Sequence, residues 1–268
     1  MALTGQSEAD AEQARREKLA QASDLLRRAR YAVALTGAGL STPSGIPDFR
    51  SPESGLWADY DPFEVASTVS FRREPRRFFD WIRPLVRLMS EAEPNPAHTA
   101  LARLETLGIL RALITQNIDM LHTRAGVRNV YEVHGHLRLA TCVECFREYE
   151  TEPFLPRLIE QGVVPRCPHC GAVLKPNVVL FGEALPIRVL RGAQREARLA
   201  DVMLIAGSSL EVAPASDMPL IARAYGAQLI VINYDETYID DEAAVVIHDD
   251  VARAIPDLVD LIESGNAT

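Results

Sequence analysis

Four cysteines stand as two tight pairs, Cys142-Val-Glu-Cys145 and Cys167-Pro-His-Cys170, with 21 residues between them. Thiolates held on two such knuckles converge on one tetrahedral ion and close its coordination shell, which predicts a structural zinc site. Gly171 permits the chain reversal after the second knuckle, and His169 inside it is a competing ligand. Two disulfides, or four unrelated core thiols, are the alternatives; a chain without an export signal disfavours the first. A second chemical feature is the string Leu35-Thr-Gly-Ala-Gly-Leu-Ser-Thr-Pro-Ser-Gly-Ile-Pro-Asp-Phe-Arg-Ser51, which leaves an apolar run and turns on small residues. Gly37 and Gly39 remove two Cβ atoms, so backbone amides there are expected to approach a phosphate closely. The dinucleotide fingerprint asks for a third glycine three positions on and a helix directly after it. Thr42 stands in that place, and Pro43, Gly45 and Pro47 disfavour a helix. A nucleotide can dock on this turn, but a hydride-transferring dehydrogenase is disfavoured.

Proton transfer needs a group that titrates near neutrality. Among six histidines, His134 follows a short apolar run with Glu132 two residues before it. Its ordinary pKa of about 6.5 suits a general base. His136 is the nearest rival, while His98, His122 and His248 read as packing or solvated residues. Asn117 and Asp119 also follow an apolar run and offer an amide and a carboxylate, although an Asx cap would use the same residues.

These groups need elements to position them. Apolar runs at 31–36, 110–115, 130–133, 201–206, 228–232 and 243–247 each end in small or polar residues. Between them lie helical patterns at 76–89, 96–107, 193–200, 215–226 and 250–261, with Gly108 as a C-cap. Strand and helix in alternation predict an α/β fold on a parallel sheet with right-handed crossovers. Ligands of such sheets bind beyond the carboxyl ends of the strands, where these polar residues collect.

Composition narrows the classes further. The 268 residues suffice for a large core with an insert, and the net charge of −9 leaves no global basic footprint for nucleic acid. An acidic surface is compatible with lysine-rich protein substrates. No apolar run approaches the roughly 20 residues of a membrane helix. Residues 1–30 lack a signal-peptide core and read as a frayed lead-in to an amphipathic helix, so a cytoplasmic location is expected.

Taken together, the Gly-Ala-Gly string, Thr115-Gln-Asn-Ile-Asp119, Glu132-Val-His-Gly135, the two cysteine pairs, Pro176-Asn-Val-Val-Leu-Phe-Gly-Glu183, Gly207-Ser-Ser-Leu-Glu-Val212 and Ile232-Asn233 resemble, in order, the motifs of the sirtuins. The resemblance runs from about Leu19 to Leu261. It implies NAD-dependent removal of acyl groups from protein lysines, with NAD consumed as a cosubstrate and zinc held structurally by Cys142, Cys145, Cys167 and Cys170. The implied architecture is a Rossmann-like parallel sheet domain (about 19–41, 84–138 and 184–268). Into it are set a cofactor loop with a helical module at 42–83 and a zinc ribbon at 139–183; residues 1–18 are an N-terminal extension.

In the reaction this resemblance implies, the acyl-lysine oxygen attacks C1′ of the nicotinamide ribose, expels nicotinamide and gives an imidate. His134 then activates a ribose hydroxyl, and water releases free lysine and 2′-O-acyl-ADP-ribose. Asn117 joins His134 as catalytic. Gly37, Ala38, Gly39, Ser41, Ile46, Asp48, Phe49, Arg50, Trp57, Gln116, Ile118 and Asp119 are expected around the nicotinamide ribose and phosphates. Gly207, Ser208 and Ser209 are expected at phosphate or ribose, and Asn233, Tyr234, Asp235 and Val251 at the adenosine end. The substrate peptide is expected between two edge strands that include Val178, Val179, Phe181, Gly182 and Glu183 on one side and Glu211 and Val212 on the other. Family members that remove succinyl groups carry a Tyr-x-x-Arg clamp; Phe79 and Ile82 occupy those places here, with Arg83 one residue out of register. Deacetylation, extending to longer aliphatic acyl groups, is therefore expected. ADP-ribosyl transfer, NAD hydrolysis and a zinc-ribbon binding protein are the rival functions; acyl-lysine proteins are the expected partners, with no direct nucleic acid binding and no membrane.

Overall fold

Every residue of Ala32–Thr36 is buried, because both faces of this apolar run are covered by helices. In the computed structural model, which describes residues 2–48 and 60–265, the run is the central strand β1. The other strands are β2 (Leu110–Thr115), β3 (Val130–Glu132), β4 (Gly135–Cys142), β5 (Glu148–Glu150), β6 (Leu174–Val178), β7 (Val202–Ala206), β8 (Gln228–Ile232) and β9 (Val245–Ile247). The helices are α1 (Ala2–Arg28), α2 (Pro62–Val65), α3 (Thr68–Arg73), α4 (Pro75–Glu91), α5 (Pro96–Thr106), α6 (Leu121–Arg124), α7 (Leu155–Gln161), α8 (Ile187–Leu199), α9 (Met218–Ala224) and α10 (Val251–Gly265).

Six strands form a parallel sheet in the order β3-β2-β1-β7-β8-β9. Alternation along β1 divides the core. Ala32 and Ala34 pack with Leu26 of α1, Leu101 of α5 and Ile255 of α10, whereas Val33 and Leu35 pack with Ala197 of α8 and Met218 of α9. A fully buried Leu or Ile in these layers contributes about 1.5–3 kcal/mol. The connections run one way from β1 to β2 and β3 and the other way from β7 to β8 and β9. The sheet order therefore reverses between β1 and β7, and in such sheets the crevice that takes a ligand lies beyond the carboxyl ends at that point.

Three elements differ from the pattern read in the sequence. The helix expected at 193–200 begins earlier, at Ile187, because Val189 and Leu190 also pack on the sheet. The 215–226 helix divides into a 3-10 turn at Ala215–Asp217 and the short α9, which starts with a proline in its first turn. The N-terminal segment is an unbroken helix, not a frayed lead-in. Arg15 pins it: its Nε lies 2.5 Å from Asp249 Oδ2 and its Nη2 2.7 Å from Asp257 Oδ2.

Two smaller units hang on the sheet. α3, α4 and α7 enclose Phe71, Phe78, Phe79 and Ile82, with the Phe78 and Phe79 rings edge to face at 5.3 Å. β5, β4 and β6 form an antiparallel sheet in that order, carrying the cysteines. β3 ends at Glu132 and β4 starts at Gly135, so only Val133 and His134 join the parallel sheet to the antiparallel one. No described helix is long and apolar enough to cross a membrane.

Candidate active site

At the crevice, the loops after β1 and β7 interlock. A Cβ on Gly37 would lie 2.8 Å from Gly207 O, and one on Gly207 would lie 2.3 Å from Leu40 N. Gly207 also sits at φ +59°, in the left-handed region. This corrects one expectation. The amides of Gly37 and Gly39 are taken within the protein: they donate to Ala206 O at 3.3 Å and Gly207 O at 2.9 Å. The glycines serve loop-to-loop contact, and the amides of Ala38, Ser208 and Ser209 have no partner among the described residues. Gly207→Ala is accordingly expected to cost about 3 kcal/mol, from left-handed strain plus backbone overlap, and to raise the KM for NAD. An unchanged melting midpoint in thermal unfolding would refute this account.

Behind the loops, the Asn117 side chain donates to Gly37 O at 3.0 Å and to Ser41 Oγ at 3.1 Å. Ser41 Oγ donates in turn to Asp119 Oδ2 at 2.6 Å, and Asp119 Oδ1 accepts from the Leu121 amide at 2.9 Å. Burial pushes the Asp119 carboxyl up, and the bonds from Ser41 and Leu121 restrain that rise. Asn117, Ser41 and Asp119 thus form one buried chain that fixes the Gly-Ala-Gly turn to the end of β2. Gln116 joins the β7 loop instead, donating to Ser208 Oγ at 2.9 Å.

His134 lies in the link between β3 and β4, half-buried, with Nδ1 3.1 Å from Gln116 O. A carbonyl only accepts, so Nδ1 carries the proton and the neutral ring presents Nε2 as its basic nitrogen. Burial lowers the pKa of His134, and the Gln116 carbonyl partly offsets this. His136, the rival, has its Nδ1 buried with no partner among the described residues, and its pKa is lowered by burial and by the Arg138 charge.

At the far end of the crevice, Asn233 donates to Asp235 O at 2.8 Å and its carbonyl lies 3.2 Å from His248 Nδ1. Tyr234 and Asp235 are exposed, and Val251 is buried at the start of α10. Ile46 and Ile118 pack with the aromatic cluster of α3 and α4. Asp48 is half-buried. Phe49, Arg50 and Trp57 lie outside the described residues.

The two expected edge strands are a second correction. Beyond Val178 the chain leaves strand geometry, and residues 209–213 are likewise non-strand. The reason is local bonding. The Val179 amide donates to His134 O at 2.9 Å, while the Phe181 amide donates to Ala66 O at 2.9 Å and its carbonyl accepts from the Thr68 amide at 3.0 Å. Gly182 sits at φ +85°, turning the chain toward Glu183, and Glu211 and Val212 lie on the opposite loop after β7.

Phe79 and Ile82 are buried in the apolar cluster. They line a cavity of about 20 Å³ together with Val86, Leu137, Leu158 and Leu174. Arg83, one position on, donates to Ile159 O and Glu160 O at 2.9 and 3.0 Å and is committed to the end of α7.

The four Sγ atoms lie within 4.8 Å of one another. Cys142 and Cys170 sulfurs are 3.4 Å apart, and Cys145 and Cys167 sulfurs 3.6 Å. Tetrahedral zinc–thiolate bonds of about 2.3 Å put sulfurs about 3.8 Å apart, so the cage fits zinc, and no pair is a disulfide. Tyr149 lies outside the cage with its hydroxyl 3.3 Å from Cys167 Sγ, and His169 is exposed and apart from the cluster.

Sequence reading passed over several residues that touch this region. Asn95 caps α5, and its Nδ2 donates to Leu40 O at 2.8 Å and Ser44 Oγ at 3.1 Å, bracing the Gly-Ala-Gly turn from below. An Asn-Pro pair opening a helix signals the cap, but not the long-range contact. His122 Nε2 lies 2.9 Å from Thr36 Oγ1, with the His98 ring 4.9 Å away and tilted at 55°.

A parallel sheet with its ligand crevice at the switch point, a four-cysteine ribbon and a neutral histidine between the two sheets together define a nucleotide-using α/β protein with a structural metal. The model of the Sir2 family matches residues 37–214. The NAD-dependent protein deacetylase of Sulfurisphaera tokodaii is 46% identical over 241 residues, 90% of this chain and 94% of the relative. NAD-dependent protein deacylase 2 of Archaeoglobus fulgidus is 44% identical over 248 residues, 92% of this chain and 97% of the relative. A crystal structure of a Sir2 homologue in complex with NAD superimposes with a TM-score of 0.84 at 41% identity, covering 91% of this chain and 94% of that one. The chain belongs to the Sir2 family.

Proposed function

We propose that this protein is an NAD-dependent protein-lysine deacetylase that extends to longer aliphatic acyl groups. One observation carries the reading: His134, at the junction of the two sheets, has Nδ1–H committed to a main-chain carbonyl, which leaves Nε2 as the free acceptor nitrogen of the ring. The relatives named as NAD-dependent deacetylase and deacylase support the same class. NAD, when bound, supplies an electrophilic ribose carbon and the hydroxyl that accepts the acyl group. His134 Nε2 takes the proton from that ribose hydroxyl as it turns nucleophilic. Asn117, Ser41 and Asp119 keep the turn after β1 in place beneath the nicotinamide end. Ala38, Ser208 and Ser209 offer amides to phosphate, and Asn233, Tyr234, Asp235 and Val251 bound the adenosine. The 178–183 and 209–213 segments receive the acyl-lysine polypeptide. Zinc in the four-cysteine cage holds the small sheet, and the cytoplasm is the compartment assigned.

Purified protein incubated with NAD and an acetyl-lysine peptide is expected to release deacetylated peptide and acyl-ADP-ribose in equal amounts, read by mass spectrometry. ADP-ribosylated protein, or NAD loss without peptide turnover, would replace this reading with one of the rival functions. Apolar Phe79 and Ile82, with Arg83 committed elsewhere, predict that a matched succinyl peptide is turned over at least about tenfold less efficiently, the loss expected when a carboxylate enters a pocket without a cationic partner. Equal efficiencies would reject the acyl preference.

A further inference from the structure

Lysine is almost absent from this chain: Lys18 and Lys175 are the only two among 28 basic residues. Arginine has been used nearly everywhere a positive charge is needed, which makes the ammonium at Lys175 conspicuous. Lys175 lies on β6, opposite Thr141 of β4, and its side chain is only 21% exposed. Its Nζ reaches Val178 O at 2.9 Å, Pro176 O at 3.2 Å and Glu183 Oε2 at 3.0 Å. An ammonium has three N–H bonds, and here it meets three acceptors. Arginine's planar fork is wider and does not reproduce that arrangement.

The three acceptors lie on the last residues of β6 and on the loop that follows it. Glu183 Oε2 also accepts from the Leu180 amide at 2.9 Å, and the Glu183 amide donates to Leu180 O at 2.9 Å. Lys175 therefore closes residues 176–183 into a ring whose two ends are the end of β6 and Glu183. The ring is fastened on one side to the catalytic strand link, through Val179 N to His134 O, and on the other to α2 and α3, through Phe181 to Ala66 and Thr68. Gly135 makes room for it, since a Cβ there would lie 2.0 Å from Asn177 O.

We infer that Lys175 is a positioning residue for the acyl-lysine polypeptide: with Glu183 it sets the shape of the 178–183 loop, and so the recognition of the peptide rather than of NAD. The inference rests on the deacylase reading. Losing the ammonium opens the ring on the peptide side, while the β1–β7 crevice and its glycines are untouched. Lys175→Met is expected to raise the KM for an acetyl-lysine peptide at least about tenfold, one half-buried charge-assisted contact's worth, with the KM for NAD within about twofold of wild type. Glu183→Gln should give the same split, and the double variant should be no worse than the worse single, because both remove one ring. Lys175→Arg should recover only part of the peptide affinity.

Fluorescence anisotropy of a labelled acetyl-lysine peptide reads the loop without turnover. Binding by wild type and loss of binding in Lys175→Met support the inference even if no NAD-dependent product forms, an outcome that would sink the deacylase reading alone. Peptide KM and peptide binding unchanged in Lys175→Met would overturn the inference. So would a parallel rise in both KM values with a lowered melting midpoint, which would make the residue merely structural.

Discussion

His134→Ala is expected to lower kcat/KM for deacylation by about 10²–10⁴-fold, the range a positioned general base contributes, while NAD still binds. Among the described residues the imidazole bonds to the main-chain carbonyl of Gln116 alone and holds no other loop by its side chain. The loops that frame the crevice are held instead by Asn117, Ser41, Asp119 and the three glycines. Their bonds survive the substitution, so the loss falls on chemistry and not on binding. The same geometry fixes the pH profile. The base acts only when neutral, so activity falls as His134 is protonated, and burial lowers its pKa below the ordinary value of about 6.5. The acid limb of kcat/KM therefore has its midpoint below pH 6.5, with unit slope, and a plateau through neutrality. An acid limb centred above pH 7, or one that persists unchanged in a residually active His134→Ala, would assign the proton transfer to another group.

That tautomer is enforced by a carbonyl, which no side-chain substitution removes. Here the limits of the sequence are visible. Residue types and spacing are enough to mark His134, Asn117, Asp119 and the cysteines, because each follows a strand end or a knuckle within a few positions. The strands themselves are legible for the same reason: β7, buried at all five positions, is apolar throughout and ends where small and polar residues return. What the one-dimensional pattern does not carry is pairing across distance. Gly37 and Gly39 look like phosphate-binding glycines, yet Gly207, some 170 positions away in the chain, is the reason neither tolerates a side chain. Residues 178–183 read as an edge strand because Val-Val-Leu-Phe has that composition, but the Val179 amide is taken by His134 and the Phe181 amide and carbonyl by Ala66 and Thr68. Asn95 and Lys175 escaped notice because a cap and a surface charge are the ordinary meanings of those residues. Their contacts with Leu40 and Val178 arise only when the loops are brought together.

Removing zinc, by chelation or by Cys167→Ser, is expected to abolish deacylation while most of the parallel sheet persists. The cysteine end of the antiparallel sheet has little apolar packing of its own: among the described residues, its fully buried cluster holds Ala140 and Leu174 besides Cys142 and Cys167, with Tyr149, Phe154 and Ala172 partly buried around it. Structural zinc sites contribute about 10–16 kcal/mol of apparent binding, comparable with the whole stability of a domain, so two buried aliphatic side chains do not substitute for the ion. Four sulfurs within 4.8 Å also repel one another once deprotonated and unbridged. The two layers around the parallel sheet share no residue with that cluster and keep their own packing. Far-UV circular dichroism should therefore change little. Activity is nevertheless lost, because β4 begins at Gly135, and its pairing with Val178 carries the loop that bonds to His134 O. A sheet that melts at the cysteine end releases both the catalytic histidine's main chain and the peptide loop fastened to it. Metal analysis should give one zinc per chain, and turnover should fall in proportion to zinc lost. Full activity in protein stripped to a small fraction of that content would separate the ribbon from the reaction and leave the coupling through Gly135 and Val179 without a role.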